Sequence, residues 1–270
     1  MERWRLILDG KHGGARNMAV DEAMLAVFGS GGTLRPTLRL YGWEEPTLSI
    51  GYLQRTSDFE AAALPLVRRI TGGRAVLHHR EVTYAVVAGA KSGPLAGGIS
   101  AAYEAVSRAL VEALRGLGVD ARWARPQRGG TVVPRACFHA PNRFEVLARG
   151  RKIAGSAQRR SGAVFLQHGS ILVSMERDLN ERVFGAALLE KMTSVEDETG
   201  AGDEEALREG LVEAFARTLS VDFQEAGLTE DERELASALE ASRYSTREWN
   251  LGGDAAPKEA LINYPEGTFL

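Results

Sequence analysis

The chain alternates short apolar runs with one long stretch of helical spacing, then changes character near residue 178. Trp4-Arg5-Leu6-Ile7-Leu8 has the length and make-up of a short strand. Asn17 to Phe28 reads as an amphipathic helix, closed by the glycine-rich stretch Gly29 to Gly32. Residues 38–41 and 47–51 read as strands with Pro46 between them. Residues 74–78 and 82–88 are strand-like on either side of His78-His79-Arg80-Glu81. Gly97 to Gly116 carries the longest helical pattern, with Ile99, Tyr103, Val106, Leu110 and Leu114 recurring at spacings of three or four. Residues 143–148 and 151–157 predict a hairpin whose turn contains Gly150, and Val164 to Val173 a further strand.

Residues 178–243 are rich in Glu, Ala and Leu and predict two or three helices. The break at Gly200-Ala201-Gly202-Asp203 supplies a helix start. A segment this short builds little core alone, so it is expected to pack on the sheet. Strands dominate the first part and helices the last. The expected class is therefore α+β, in a single domain over residues 1–270.

Composition narrows the setting. Of the 270 residues 44% are apolar, enough for a sizeable core. The net charge of −3, without a long basic run, argues against nucleic-acid binding. The N-terminus (MERWRLILDG) lacks the apolar core of a signal peptide, and no stretch approaches the roughly 20 apolar residues that span a bilayer. A cytoplasmic protein is expected. The single cysteine, Cys137, excludes an internal disulfide and fits a reducing compartment.

Four segments carry candidate chemistry. In Arg69-Ile70-Thr71-Gly72-Gly73-Arg74 two adjacent glycines weaken a strand-like run. They fit either a bulge where a ligand nears the backbone or a plain turn with surface arginines. Cys137, with Pro134 and Pro141 around it and Arg125, Arg128 and Arg135 nearby, is either a thiol activated by positive surroundings or a buried structural cysteine. Lys152 is either a solvated charge after a turn or, beside the small residues Gly155-Ser156-Ala157, a cation next to a slender ligand channel. His168 is either an acid, base or positioning group or a hydrogen-bonded core histidine. No spacing of His, Cys and carboxylates suggests a metal site, and no phosphate-binding GxxxxGK[ST] loop is present.

In one order along the chain, NMAVDE (17–22), RITGGRAVLH (69–78), Ala136-Cys137-Phe138, GRKIAGSAQ (150–158) and LQHGSIL (166–172), followed by YSTREWN (244–250), resemble motifs of the biotin/lipoate protein ligase superfamily. The likeness is greatest to its octanoyltransferase branch, which uses a cysteine and a lysine. It implies a mixed, mostly antiparallel sheet flanked by helices, with the acyl chain in a tunnel. It implies that Cys137 is the acylated nucleophile and Lys152 its partner. Arg69, Thr71, Gly72, Gly73, Arg74 and His78 would line the acyl site, with Ser156, Ala157, His168 and Gly169 forming its other wall. The implied reaction moves octanoyl from acyl carrier protein to Cys137 and on to a lysine of a lipoyl domain, such as glycine cleavage H protein, with no cofactor. Arg122, Arg125, Arg128 and Arg135 are candidates to meet an acidic carrier. A monomer is expected.

Three rivals stand beside this reading. An ATP-dependent lipoate–protein ligase would share the lysine and the glycine motif. Arg74 stands where ligases typically carry a third glycine, and Cys137 in its Ala-Cys-Phe setting also favours the transferase. An amidotransferase moving octanoyl between lipoyl domains would differ in its donor. A non-catalytic lipoyl-domain or acyl-carrier binding protein would never form an acyl-Cys137 adduct. His79 departs from the family pattern, where aspartate is common.

Overall fold

The computed structural model describes residues 1–30, 35–59, 63–124 and 145–252. Its spine is an eight-stranded sheet. The strands are β1 (Glu2–His12), β2 (Thr37–Trp43), β6 (Glu81–Gly89), β7 (Ala121–Trp123), β8 (Val146–Ala148), β9 (Arg151–Ser161), β10 (Val164–Leu172) and β11 (Val221–Glu225). They lie in the order β11-β1-β2-β6-β10-β9-β8-β7. Only the pairings of β1, with β11 and with β2, are parallel; the rest are antiparallel. A second sheet of three short strands has β3 (Thr47–Ile50) between β4 (Leu66–Arg68) and β5 (Val76–His78). The fold is thus α+β with a mostly antiparallel sheet.

The side chains of β2 and β6 are buried on both faces, so their apolar residues alternate between two cores. On one face Leu38, Leu40, Val82, Tyr84 and Val86 meet helix α2 (Ile99–Gly116) and helix α6 (Glu204–Leu219). On the other face Tyr41, Trp43, Ala85 and Val87 meet α1 (Gly14–Gly29) and α7 (Glu230–Leu239). Burying each large aliphatic side chain in these layers is worth about 1.5–3 kcal/mol.

Several elements differ from their sequence reading for physical reasons. Helix α1 is not amphipathic. Asn17 to Leu25 are all buried, because the helix is clamped between the sheet and α7. Its two acids are paired: Asp21 with Arg39 at 2.8 Å, and Glu22 with Arg243 and with the Tyr244 hydroxyl. Pairing is what makes their burial tolerable. The glycine motif is a loop between β4 and β5 rather than part of a strand. Residues 177–243 hold more than three helices. These include α3 (Arg177–Phe184), α4 (Ala186–Leu189), α5 (Val195–Thr199), α6, α7 and a π-helical turn at Glu240–Tyr244. That segment also contributes β11, which extends the sheet beyond β1. Asp203 caps α6 through bonds from the backbone of Glu205 and Ala206, as the Gly-Asp break predicts. The predicted hairpin forms between β8 and β9. Its two-residue turn, Arg149-Gly150, has φ of +47° and +85°, the twist that suits a tight antiparallel connection.

Candidate active site

A cleft of about 570 Å³, counting its open mouth, lies between the large and small sheets. Strands β9 and β10 supply Lys152, Gly155, Ser156, Ala157, His168, Gly169 and Ser170. The small sheet and its loop supply Ser49, Arg69, Gly73, Arg74, Val76 and His78. Met18, Tyr41, Trp43, Thr83 and Glu145 complete the lining.

The wall is tied together by one continuous set of hydrogen bonds. Asp21 Oδ2 accepts from the Tyr41 hydroxyl at 2.9 Å and lies 2.8 Å from His168 Nδ1. His168 Nε2 is 2.7 Å from Thr71 Oγ1, which accepts from Arg69 Nε at 3.3 Å. The same guanidinium donates to the carbonyls of Gly72 and Arg74 and to Ser49 Oγ. Ser49 Oγ is 2.6 Å from His78 Nε2, and His78 Nδ1 is 2.6 Å from Glu81 Oε1. Thr83 and Ser170 also donate to that oxygen, and Thr83 receives the Trp43 indole N–H. The Trp43 ring stacks on His78 at 3.8 Å between centroids. Arg69 is therefore buried inside the loop it shapes, not a surface arginine.

Burial holds the His168 pKa below that of free imidazole, although the hydrogen bond and charge of Asp21 oppose the shift. Asp21 already shares its charge with Arg39. A neutral ring that donates from Nδ1 to Asp21 and accepts at Nε2 from Thr71 satisfies every partner. Both nitrogens are thus engaged, which ties His168 to α1 and to the glycine loop. Tyr84 lies behind Ser156 with its hydroxyl pushed up to about 12 by burial, so it stays protonated beside Ser156 Oγ at 2.6 Å.

Lys152 enters the cleft from the start of β9. Its Nζ donates to Glu145 Oε1 at 2.7 Å, and the two side chains are 14% and 10% exposed. A Cβ on Gly155 would sit 2.9 Å from both Cε and Nζ of Lys152, so the glycine is what lets the lysine fold inward. Gly169, facing Ser156 across the ladder, lies so close to Gly155 that a Cβ there would be 2.3 Å from the Gly155 carbonyl oxygen.

Of the residues singled out from the sequence, Lys152, Arg69, Gly73, Arg74, His78, Ser156, Ala157, His168 and Gly169 converge on this cleft. Thr71 stands behind the lining, holding His168 and Arg69, and Gly72 is exposed and presents its carbonyl to Arg69. Cys137, Arg125, Arg128 and Arg135 lie outside the described residues; Arg122 is exposed on β7. His79 does not line the cleft and meets Glu176 instead. Sequence reading missed Glu145, Trp43, Ser49 and Ser170. A lone glutamate ahead of a hairpin gives no signal of its own until the fold shows what it touches.

A model of the lipoyl protein ligase A/B catalytic domain matches residues 14–220. An octanoyltransferase LipM of Kyrpidia tusciae is 43% identical, over 93% of this chain and 99% of its own length. An octanoyltransferase LipM of Moorella thermoacetica is 40% identical, over 92% of this chain and 97% of its own. Among solved structures, a bipartite lipoate protein ligase from Thermoplasma acidophilum, studied with its E2 lipoyl domain, superposes with a TM-score of 0.78. It is 27% identical and covers 94% of this chain and 98% of its own.

Proposed function

The chain belongs to the lipoyl protein ligase A/B catalytic-domain family, and on that footing we propose that it is an octanoyltransferase of lipoate biosynthesis. In this reading the octanoyl group comes from octanoyl-acyl carrier protein, rests on Cys137 as a thioester, and ends on a lysine of a lipoyl-domain protein such as glycine cleavage H protein. Residues 1–270 act as a single catalytic domain, as a monomer, in the cytoplasm.

The observation that carries the reading is the inward-folded Lys152, held by Glu145 in a cleft between two sheets. Glu145 is the first described residue after the segment that bears Cys137, and its carbonyl accepts from Ala124, the last residue before that segment. The root of the segment therefore sits at the cleft. The cysteine thiolate attacks the carrier thioester, with the Lys152 ammonium available to the thiolate and to the charge that develops on the carbonyl oxygen. The carrier thiol leaves. The acceptor lysine then attacks the acyl-Cys137 thioester. Because a thiol is a good leaving group in both steps, the transfer needs no ATP.

The test is an intact mass of the protein after mixing with octanoyl-acyl carrier protein in the absence of ATP. One octanoyl group is expected on the wild type and none on Cys137→Ala. An unmodified wild type that nevertheless loads free lipoate onto a lipoyl domain when ATP and magnesium are supplied would make it a ligase instead.

A further inference from the structure

We propose that Glu145 is the docking point for the acceptor's lysine, through the carboxylate oxygen that Lys152 does not use. This rests on the transferase reading above and adds to it the group that receives the second substrate.

The acceptor lysine arrives as an ammonium. Within the cleft it meets Lys152, Arg69 and Arg74, all cations. A second ammonium is repelled by such a lining unless a counter-charge receives it. Among the described residues lining the cleft, Glu145 is the one carboxylate. Its Oε1 takes the Lys152 ammonium at 2.7 Å, which leaves Oε2 out of that ion pair. A carboxylate has lone pairs for both ammoniums at once. Glu145 thereby brings the acceptor nitrogen beside Lys152, at the root of the Cys137 segment.

The proton balance of the second step calls for such a group. The acceptor begins as –NH3⁺ with three N–H bonds. Once one proton has left it, the nitrogen attacks the acyl carbonyl carbon with its lone pair, the new C–N bond forms, and the C–S bond to Cys137 breaks. The amide keeps one hydrogen, the Cys137 sulfur takes one, and one proton leaves the site. Glu145 Oε2 is the first acceptor on that proton's way to water. The carrier-thioester step differs: it exchanges thiol for thiol and releases no net proton.

The two half-reactions separate the idea from a structural role. Acyl-enzyme is prepared from octanoyl-acyl carrier protein and discharged either by a lipoyl domain or by hydroxylamine, a neutral nucleophile at pH 7 that needs no counter-charge. Glu145→Gln keeps an oxygen for Lys152 and removes the charge. The expected result is discharge to the lipoyl domain slowed by roughly 100-fold, the low end for losing a positioned proton acceptor. Discharge by hydroxylamine, which still depends on the Lys152 that Glu145 holds, is expected to slow at least about tenfold less, and Glu145→Asp recovers part of the lipoyl-domain rate. Equal slowing with both nucleophiles, failure of Glu145→Gln to accept octanoyl, or no slowing with either overturns the proposal. A wild type that forms no acyl-enzyme overturns the transferase reading itself, which keeps the two failures distinguishable.

Discussion

At the residue scale, the site depends on what is missing at Gly155. A methyl group there would lie 2.9 Å from the Lys152 ammonium and its neighbouring carbon. The lysine end is flexible and gives way more cheaply than the strand. Gly155→Ala is therefore expected to leave the melting temperature within about 2 °C of wild type, a surface-like stability effect below about 0.5 kcal/mol. The same change should lower turnover at least tenfold by swinging Nζ out of the cleft. A paired measurement of melting temperature and initial rate checks this; an active, equally stable Gly155→Ala would show that the inward pose of Lys152 is dispensable. His168 makes a second prediction. Its folded pKa is depressed by burial, so the unfolded chain takes the proton first as the pH falls. The stability tied to the neutral ring is fully present above about pH 6.5, the unfolded value. It is lost as the pH drops from there toward the folded pKa. Melting temperatures recorded from pH 8 to pH 5 should decline below about 6.5 in the wild type and decline less in His168→Gln. Parallel curves for the two proteins would place the titration elsewhere.

At the element scale, legibility followed periodicity. Helix α2 was readable because its apolar residues recur at three and four and Gly97 and Gly98, with φ of +105° and +99°, bar an earlier start. The β8–β9 hairpin was readable from one glycine. Strand β11 was not: Val221-Asp222-Phe223-Gln224-Glu225 is short, mostly charged or polar, and lies at a sheet edge, where only one face asks for apolar side chains. Its neighbour β1 decides its conformation, and that pairing spans more than 200 residues of sequence. The burial of Arg69 was unreadable for a similar reason. An arginine beside glycines looks solvated until the loop closes around it and supplies carbonyls from Ser49, Gly72 and Arg74. Lys152 and the small residues after it stood out in the sequence, and all four line the cleft. Glu145 did not, because the carboxylate acts across a register shift in the β8–β9 ladder that no local pattern announces.

At the scale of the whole molecule, the adjacent acids of α1 hold the cleft loop by two routes. Asp21 reaches it through His168 and Thr71. Glu22 reaches it through the C-terminal end of the described chain: Glu22 binds Tyr244, whose carbonyl accepts from Asn250, and Asn250 Oδ1 accepts the Arg68 backbone N–H at 2.9 Å. Arg68 is fully buried. Its guanidinium donates to the carbonyls of Gly51, Tyr52, Gln54, Trp249 and Asn250, which joins helix α8 (Arg247–Leu251) to the strand that leads into the glycine loop. Asn250→Ala removes one hydrogen bond from each of two buried backbone groups, the Arg68 N–H and the Tyr244 carbonyl. At about 1 kcal/mol for each hydrogen bond lost, the loss should be about 2 kcal/mol, a fall of roughly 4–8 °C in melting temperature. The effect should also be local. Amide hydrogen exchange should quicken in residues 51–54 and 66–74 before it does in β6 or β10, since the Arg68 and Asn250 hydrogen bonds tie α8 to the small sheet and its flanking loop rather than to the large sheet. Octanoyl transfer should then weaken mainly through a higher KM, because the loop forms a wall of the cleft while Lys152 stands on the other sheet. A lowered melting temperature with unchanged exchange at 66–74 would mean that α8 stabilises the body of the protein without ordering its substrate wall.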